Sequence, residues 1–114
     1  MTLSERQVGA VTILSLAGGL KVEDGAAELG AAVHRLLGQG RTQLLLNVAG
    51  VAFVDSAGLG ALVQAYVSAT RKAGTVKLVN TPKRLQDLLV ITKLSKVLQT
   101  FDDESAAAAS FKTS

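Results

Sequence analysis

The sequence predicts an α/β fold: a mixed sheet of about five strands with about four helices packed against it. Three observations lead there. Two β-branched, alternating runs come first, at residues 3–8 and 11–16. From residue 25 onward, runs with helical spacing alternate with short apolar runs. Leu44-Leu45-Leu46 is continuous and apolar, short enough for a strand buried on both faces. At 114 residues and 48% hydrophobic content the chain is expected to be a single domain, residues 1–114, able to bury a core without metals or disulfides.

Taken in order, the first two runs flank Gly9-Ala10, a tight turn, and Gly18-Gly19 ends the pair. From Gly25 to Leu37, the residues Leu29, Ala32, Val33, Leu36 and Leu37 recur at helical spacing, and Gly38 and Gly40 stop that helix. Residues 43–48 form the expected central strand, which feeds the stretch Val51-Ala-Phe-Val-Asp-Ser-Ala-Gly-Leu-Gly60. The following helix is expected to continue to Ala73 with Leu59, Leu62, Val63, Tyr66 and Val67 as its buried stripe. Residues 76–79 make the next strand. Thr81-Pro82 reads as a cap followed by proline at the first helical position, opening a short helix with Leu85, Leu88 and Leu89 inward. Residues 97–101 are a last strand. Asp102, Asp103 and Glu104 open an alanine-rich helix with Lys112 near its end, matching the helix dipole in both signs.

The organising stretch is 51–60, read as a strand, a tight loop and a helix N-terminus. The first N–H groups of a helix lack an intrahelical partner, and Asp55 or Ser56 supplies the capping oxygen. Those same N–H groups, with the positive end of the helix dipole, also favour a negative group such as a phosphate on Ser56. On spacing alone, a purely capping role for Asp55 and Ser56 is sufficient. The far side of the helix adds a second signal. Gly60, Ala61, Gln64, Ala65 and Ser68 are small or uncharged, and no charge occurs from Ser56 to Thr70, whereas a water-facing helix side is normally charged. Another part of the chain covers that side, a docking partner does, or the residues are simply small.

Phe53-Val-Asp55-Ser56-Ala57-Gly58-Leu-Gly60 resembles the signature loop of bacterial anti-anti-sigma factors, the single-domain members of the STAS family. Gly19-Leu20 resembles the family's Gly-x-Leu after the second strand, and Lys83-Arg84-Leu85 through Ile91-Thr92-Lys93-Leu94 resembles its closing helix. The resemblance implies a STAS-like single domain of the architecture already read, and it implies that Ser56 is the phosphorylated residue. The chain would then be an anti-sigma factor antagonist. Unphosphorylated, it would bind an anti-sigma factor with serine kinase activity and displace a sigma factor so that transcription starts. Phosphorylation of Ser56 by that kinase, which carries the ATP, would end the interaction, and a serine phosphatase would reset it. The partner-binding residues on this reading are Asp55, Ser56, Ala57, Gly58, Gly60, Ala61 and Gln64. Two positions depart from the family's pattern: Lys21 stands where sporulation members often carry aspartate, and Lys93 where a glycine is frequent, implying a differently built helix end there. The alternative within the fold is a STAS subunit of a stress-signalling or lipid-transport assembly, with Ser56 as a structural helix cap.

Other classes lack a constellation. There is no cysteine, which removes disulfides, thiolate catalysis and cysteine-bound zinc. His34, the one histidine, lies about 140° around its helix from Leu29 and reads as a solvated surface residue. No Gly-x-Ser-x-Gly elbow surrounds Ser56, and Gly58-Leu-Gly60 lacks the glycine and lysine of a phosphate-cradling loop. The chain is therefore read as a binding module, not an enzyme, with no cofactor. Net charge is +3, and seven basic residues fall between Arg71 and Lys96 against Asp87 alone. With one Tyr, three Phe and no Trp, none placed among these cations for base stacking, the stretch reads as a solvated basic face, not a nucleic-acid site. Residues 8–20 are apolar, but Glu5 offsets Arg6 and Thr12 and Ser15 interrupt the run, so a strand fits better than a signal peptide. No run approaches the ~20 apolar residues of a membrane span. A soluble, cytoplasmic protein without membrane contact is the expectation.

Overall fold

The strands lie in the sheet in the order in which the chain makes them. The computed structural model describes residues 1–111. In it, β1 (Thr2–Val8) and β2 (Val11–Leu20) form an antiparallel hairpin with Val8 opposite Val11. Gly9 turns the chain at φ +59°, a left-handed conformation in which a side chain would be strained. Beyond the hairpin every step is parallel: β2 to β3 (Gln43–Val54), β3 to β4 (Thr75–Val79), and β4 to β5 (Thr100–Phe101). The helices α1 (Ala26–Gly38), α2 (Ser56–Arg71) and α3 (Lys83–Ile91) are the crossovers, and α4 (Glu104–Ser110) follows the last strand. The sheet is mixed and five-stranded, with four helices, as the sequence predicts.

Parallel crossovers that step the same way across a sheet and share one hand place their helices on one face. Accordingly, Leu44, Leu46 and Val48 of β3, with Val76 and Leu78 of β4, pack in one core with Leu29, Val33, Leu36 and Leu37 of α1, Leu62 of α2 and Leu85 and Leu89 of α3. The alternate residues face the other way, where Val11, Ile13, Leu45 and Val79 meet Ala107 of α4 and Phe111. Two polar anchors seat α4 there. Glu104 accepts from Arg6 Nη2 of β1 and from Asn47 Nδ2 of β3 at 3.0 Å, and Arg6, then Asn47, holds its carboxyl below the ordinary range. Lys77 of β4 is buried; its Nζ donates to Ser110 Oγ at 2.9 Å and stands 4.6 Å from the Phe111 ring centre. Burial lowers the Lys77 pKa.

Several boundaries differ from expectation. β2 runs on through Gly18-Gly19 to Leu20, because two register irregularities let both glycines stay paired with β3, at Val51 and Phe53. β3 likewise continues past residue 48 to Val54. The last strand is shorter than 97–101: the N–H groups of Val97 and Leu98 both go to Leu94 O, closing a 3-10 turn (Leu94–Lys96), so neither joins the ladder. Pro82 itself is the N-cap of α3, at φ −59° and ψ 150°, not its first helical residue, and Thr81 Oγ1 is buried without a partner among the described residues. Asp103 caps α4 by accepting from Ala106 N at 2.9 Å; Lys112, expected near the end of that helix, lies outside the described residues.

Lys93, beyond the end of α3, adopts φ +64° and ψ 13°. The helix end thus has the left-handed geometry that glycine takes most readily, in place of a different construction. Lys93→Gly is expected to raise stability by about 0.5–1 kcal/mol, read as a higher urea midpoint at unchanged slope; a lower midpoint would mean that the lysine stem makes a compensating contact.

Candidate functional site

At the carboxyl end of the sheet, β3 outruns its neighbour on one side. β4 pairs with it only as far as Asn47, while β2 pairs with it to Val54, so the final turn of chain before α2 rests on β2 alone. There Asp55 N donates to Leu20 O at 3.3 Å. The Asp55 carboxylate makes two bonds with separate tasks. Oδ1 accepts from Gly58 N at 2.9 Å, capping α2, and Oδ2 accepts from Val22 N at 3.1 Å, tying the β2–α1 loop to the helix start. Asp55 is therefore the cap, and Ser56 is the first helical residue. The Ser56 side chain is exposed and makes no hydrogen bond within the described residues.

The two N–H groups, Gly58 first and Val22 second, hold the Asp55 carboxyl below its ordinary value; partial desolvation opposes them, and Ala57 N–H and the charge of Lys21 add smaller pulls in the same direction. A depressed folded-state pKa stabilises the fold fully above the unfolded value of about 3.9 and loses that contribution as pH falls through the folded value. Asp55→Asn is therefore expected to flatten the fall of the urea midpoint below about pH 4. An unchanged acid limb would assign that loss to other carboxylates such as Glu104.

The residues expected to meet a partner divide by exposure. Ser56, Gly60 and Gln64 are exposed; spaced four apart, they form one row along α2. Asp55, Ala57 and Ala61 are half-buried, and Gly58 is buried. Gly58 packs on the end of β2, where an added Cβ would lie 1.8 Å from Leu20 O; it shapes the loop from inside. Ala65 is buried too, because α1 covers that side of α2. Ala61, Gln64, Ala65 and Ser68 face Ala26, Gly30, Val33, His34 and Leu37 across a groove of about 220 Å³. The buried stripe of α2 is Gly58, Leu62, Ala65 and Ala69, rotated from the expected one: of the five expected residues only Leu62 is buried, Leu59 and Tyr66 pack partly on the core, and Val63 and Val67 are half-exposed. The small side is thus largely an intramolecular helix contact. His34 is exposed, as expected.

Three residues beside the Asp55 loop lie outside the expected partner-binding set: Val22, Phe53 and Lys21, the last already noted as a departure from the family's pattern. Val22 is 67% exposed and Phe53 48% exposed, and Lys21 Nζ stands 5.3 Å from the Phe53 ring centre, a cation–π distance. Phe53 carries a weak sequence signal, a large aromatic next to the loop. Val22 carries none, since its place beside Asp55 is set by a hydrogen bond across 33 positions of chain.

This fold, a mixed five-stranded sheet with three crossover helices on one face, has counterparts. A family model described as the STAS domain matches residues 4–107. The chain belongs to the STAS-domain family. Comparison with curated proteins by sequence gives no match. Among solved structures, this STAS domain is similar to the Thermotoga maritima protein TM1081, with a TM-score of 0.90 and 24% identity over 96% of this chain and 94% of that one. It is similar to the Bacillus cell-fate determinant SpoIIAA in its phosphorylated form, at a TM-score of 0.75 and 19% identity over 95% and 98% of the two chains. It is also similar to part of the murine anion transporter Slc26a9, at a TM-score of 0.79 and 17% identity, covering 96% of this chain but 19% of that one. At these identities the likenesses establish the fold. No helix among the described residues is long and apolar enough to cross a membrane.

Proposed function

We propose that this STAS domain is an anti-sigma factor antagonist: it binds an anti-sigma factor with serine kinase activity, and phosphorylation of Ser56 ends that binding. One observation carries the reading. Asp55 does all the capping, which leaves the Ser56 hydroxyl exposed and without a structural partner. A serine that held the helix together would be a poor place for a reversible modification; this one is available to a kinase at no cost to the fold. The kinase supplies ATP, transfers the terminal phosphoryl group to Ser56 Oγ, and takes up the hydroxyl proton. This chain supplies the acceptor and the docking row Ser56, Gly60 and Gln64, and acts as a binding module in the cytoplasm, without a cofactor. A serine phosphatase restores the hydroxyl.

The presence of the same fold within an anion transporter favours, as a second reading, a subunit of another assembly, such as a stress-signalling or lipid-transport complex. Because Ser56 is not the cap, that reading has no structural role for its hydroxyl and leaves the exposed serine unexplained.

The two separate in a capture experiment from native extract, with unphosphorylated wild type and Ser56→Asp as baits. Recovery of an ATP-binding serine kinase by wild type alone, followed by phosphate incorporation at Ser56 by that kinase, is the expected result. Equal recovery of transport or signalling subunits by both baits would overturn the switch.

A further inference from the structure

Six large hydrophobic side chains are exposed among the described residues, and three of them, Val90, Ile91 and Val97, belong to the end of α3 and the chain just after it. Ile91 is the most exposed of all, at 75%, with Val90 at 57%. Their outward placement follows from the helix period: Leu85 and Leu89 take the inward face of α3, which leaves Val90 and Ile91 turned from the core. The same corner is cationic. Lys83, Arg84, Lys93 and Lys96 are all exposed, while Asp87 is the one acidic residue between positions 83 and 97 and is engaged by Lys83 Nζ at 3.3 Å. Among the described residues Arg84, Lys93 and Lys96 have no ion-pair partner.

Aliphatic tips standing between unpaired cations on a short helical element match the boundary layer of an anionic bilayer. Aliphatic side chains enter the acyl boundary, and lysine stems lie along apolar surface with their ammonium groups at the headgroups. The composition fits other partners less well. Protein interfaces are enriched in aromatics and depleted in lysine, and single-stranded nucleic acid needs stacking platforms; the segment 83–97 has no aromatic residue. We infer that this corner, centred on Ile91 and ringed by Arg84, Lys93 and Lys96, is a reversible docking surface for an anionic phospholipid bilayer. It does not depend on the function proposed for Ser56, and it adjoins that site on one side, where Arg84 and Leu88 share a pocket with Phe53 and Val54. The attachment is weak, since one short apolar element with a few cations falls well below stable anchoring. Its effect is to concentrate the protein beside a membrane.

The test is co-sedimentation of the full chain with large unilamellar vesicles, either phosphatidylglycerol and phosphatidylcholine in equal parts or phosphatidylcholine alone. Wild type is expected to partition onto the anionic vesicles at least about tenfold better, and to lose that advantage as salt rises. Lys93→Gln with Lys96→Gln is expected to lower the anionic partition about twenty-five-fold, at about fivefold per cation. Ile91→Asp should lower it about fiftyfold, about tenfold through the lost apolar insertion and about fivefold through the added negative charge. Both variants change exposed side chains and should keep the wild-type thermal midpoint, which separates lost docking from lost folding. Equal recovery on both vesicle types would overturn the proposal. So would wild-type recovery of Ile91→Asp, which would reduce the corner to a solvated basic face, or displacement by random-sequence duplex DNA that Ile91→Asp leaves unchanged.

Discussion

Gly58→Ala is expected to destabilise the protein by about 3 kcal/mol or more, and to do so by breaking the start of α2. The added Cβ would sit 1.8 Å from Leu20 O and 2.6 Å from Leu20 C. Both are backbone atoms of β2, so no rotamer change relieves the clash. Moving Leu20 away would also disturb its carbonyl bond with Asp55 N, and moving Gly58 would lengthen its N–H bond to Asp55 Oδ1. Gly60→Ala is the matched control two residues on. Nothing lies within 4 Å of its added Cβ, and an exposed helical glycine replaced by alanine should gain about 0.5–1 kcal/mol. Urea unfolding of the pair reads both signs at once. A Gly58→Ala midpoint within error of wild type would mean that α2 does not pack this closely on β2.

Phosphorylated Ser56 is expected to bind the captured kinase at least about a hundredfold more weakly than the unmodified protein, about 3 kcal/mol of lost affinity. The phosphate brings about −1.5 to −2 charges to a row, Ser56 to Gln64, that has no charge of its own, so the modification adds charge and bulk together beside the Asp55 carboxylate. The fold is expected to tolerate it. A negative group at a helix N-terminus is favoured by about 0.3–1 kcal/mol, so the thermal midpoint should hold or rise slightly. Ser56→Ala is expected to keep both binding and stability, because the hydroxyl makes no hydrogen bond within the described residues. A fall of about 1 kcal/mol in Ser56→Ala, the usual cost of a lost cap, would transfer the capping role from Asp55 to Ser56. Calorimetric titration with the kinase, beside thermal unfolding of each form, separates the surface effect from the structural one.

Much of this was legible in the chain. The alternation of periods gave the α/β architecture, the triple leucine marked the central strand, and Asp55-Ser56 marked the helix start on which the family likeness turns. Most of what escaped depends on a neighbour distant in sequence; the shortened last strand is a local exception. Periodicity places Leu59, Val63 and Val67 in the stripe of α2, because large aliphatics outrank alanines. The structure buries Ala65 and Ala69 instead, since another helix closes on the side where side chains are smallest, and no single helix's pattern encodes which helix that is. Asp55 and Ser56 were interchangeable as caps on spacing; the second bond of Asp55, to Val22, distinguishes them and requires a loop from another part of the fold. The 3-10 turn that shortens the last strand was hidden because Val97 and Leu98 suit a strand by composition while their N–H groups are already spent on Leu94 O.

The strand order has a kinetic consequence. Because every strand pairs with the one made just before it, the sheet can grow edgewise during synthesis, each new strand and its helix adding to a surface already present. Low sequence separation between pairing partners favours rapid folding. The exception is α4, whose Glu104 reaches back to Arg6 across 98 positions. That helix must wait for nearly the whole sheet, and its amides should be the first to exchange with deuterium when the native protein opens locally.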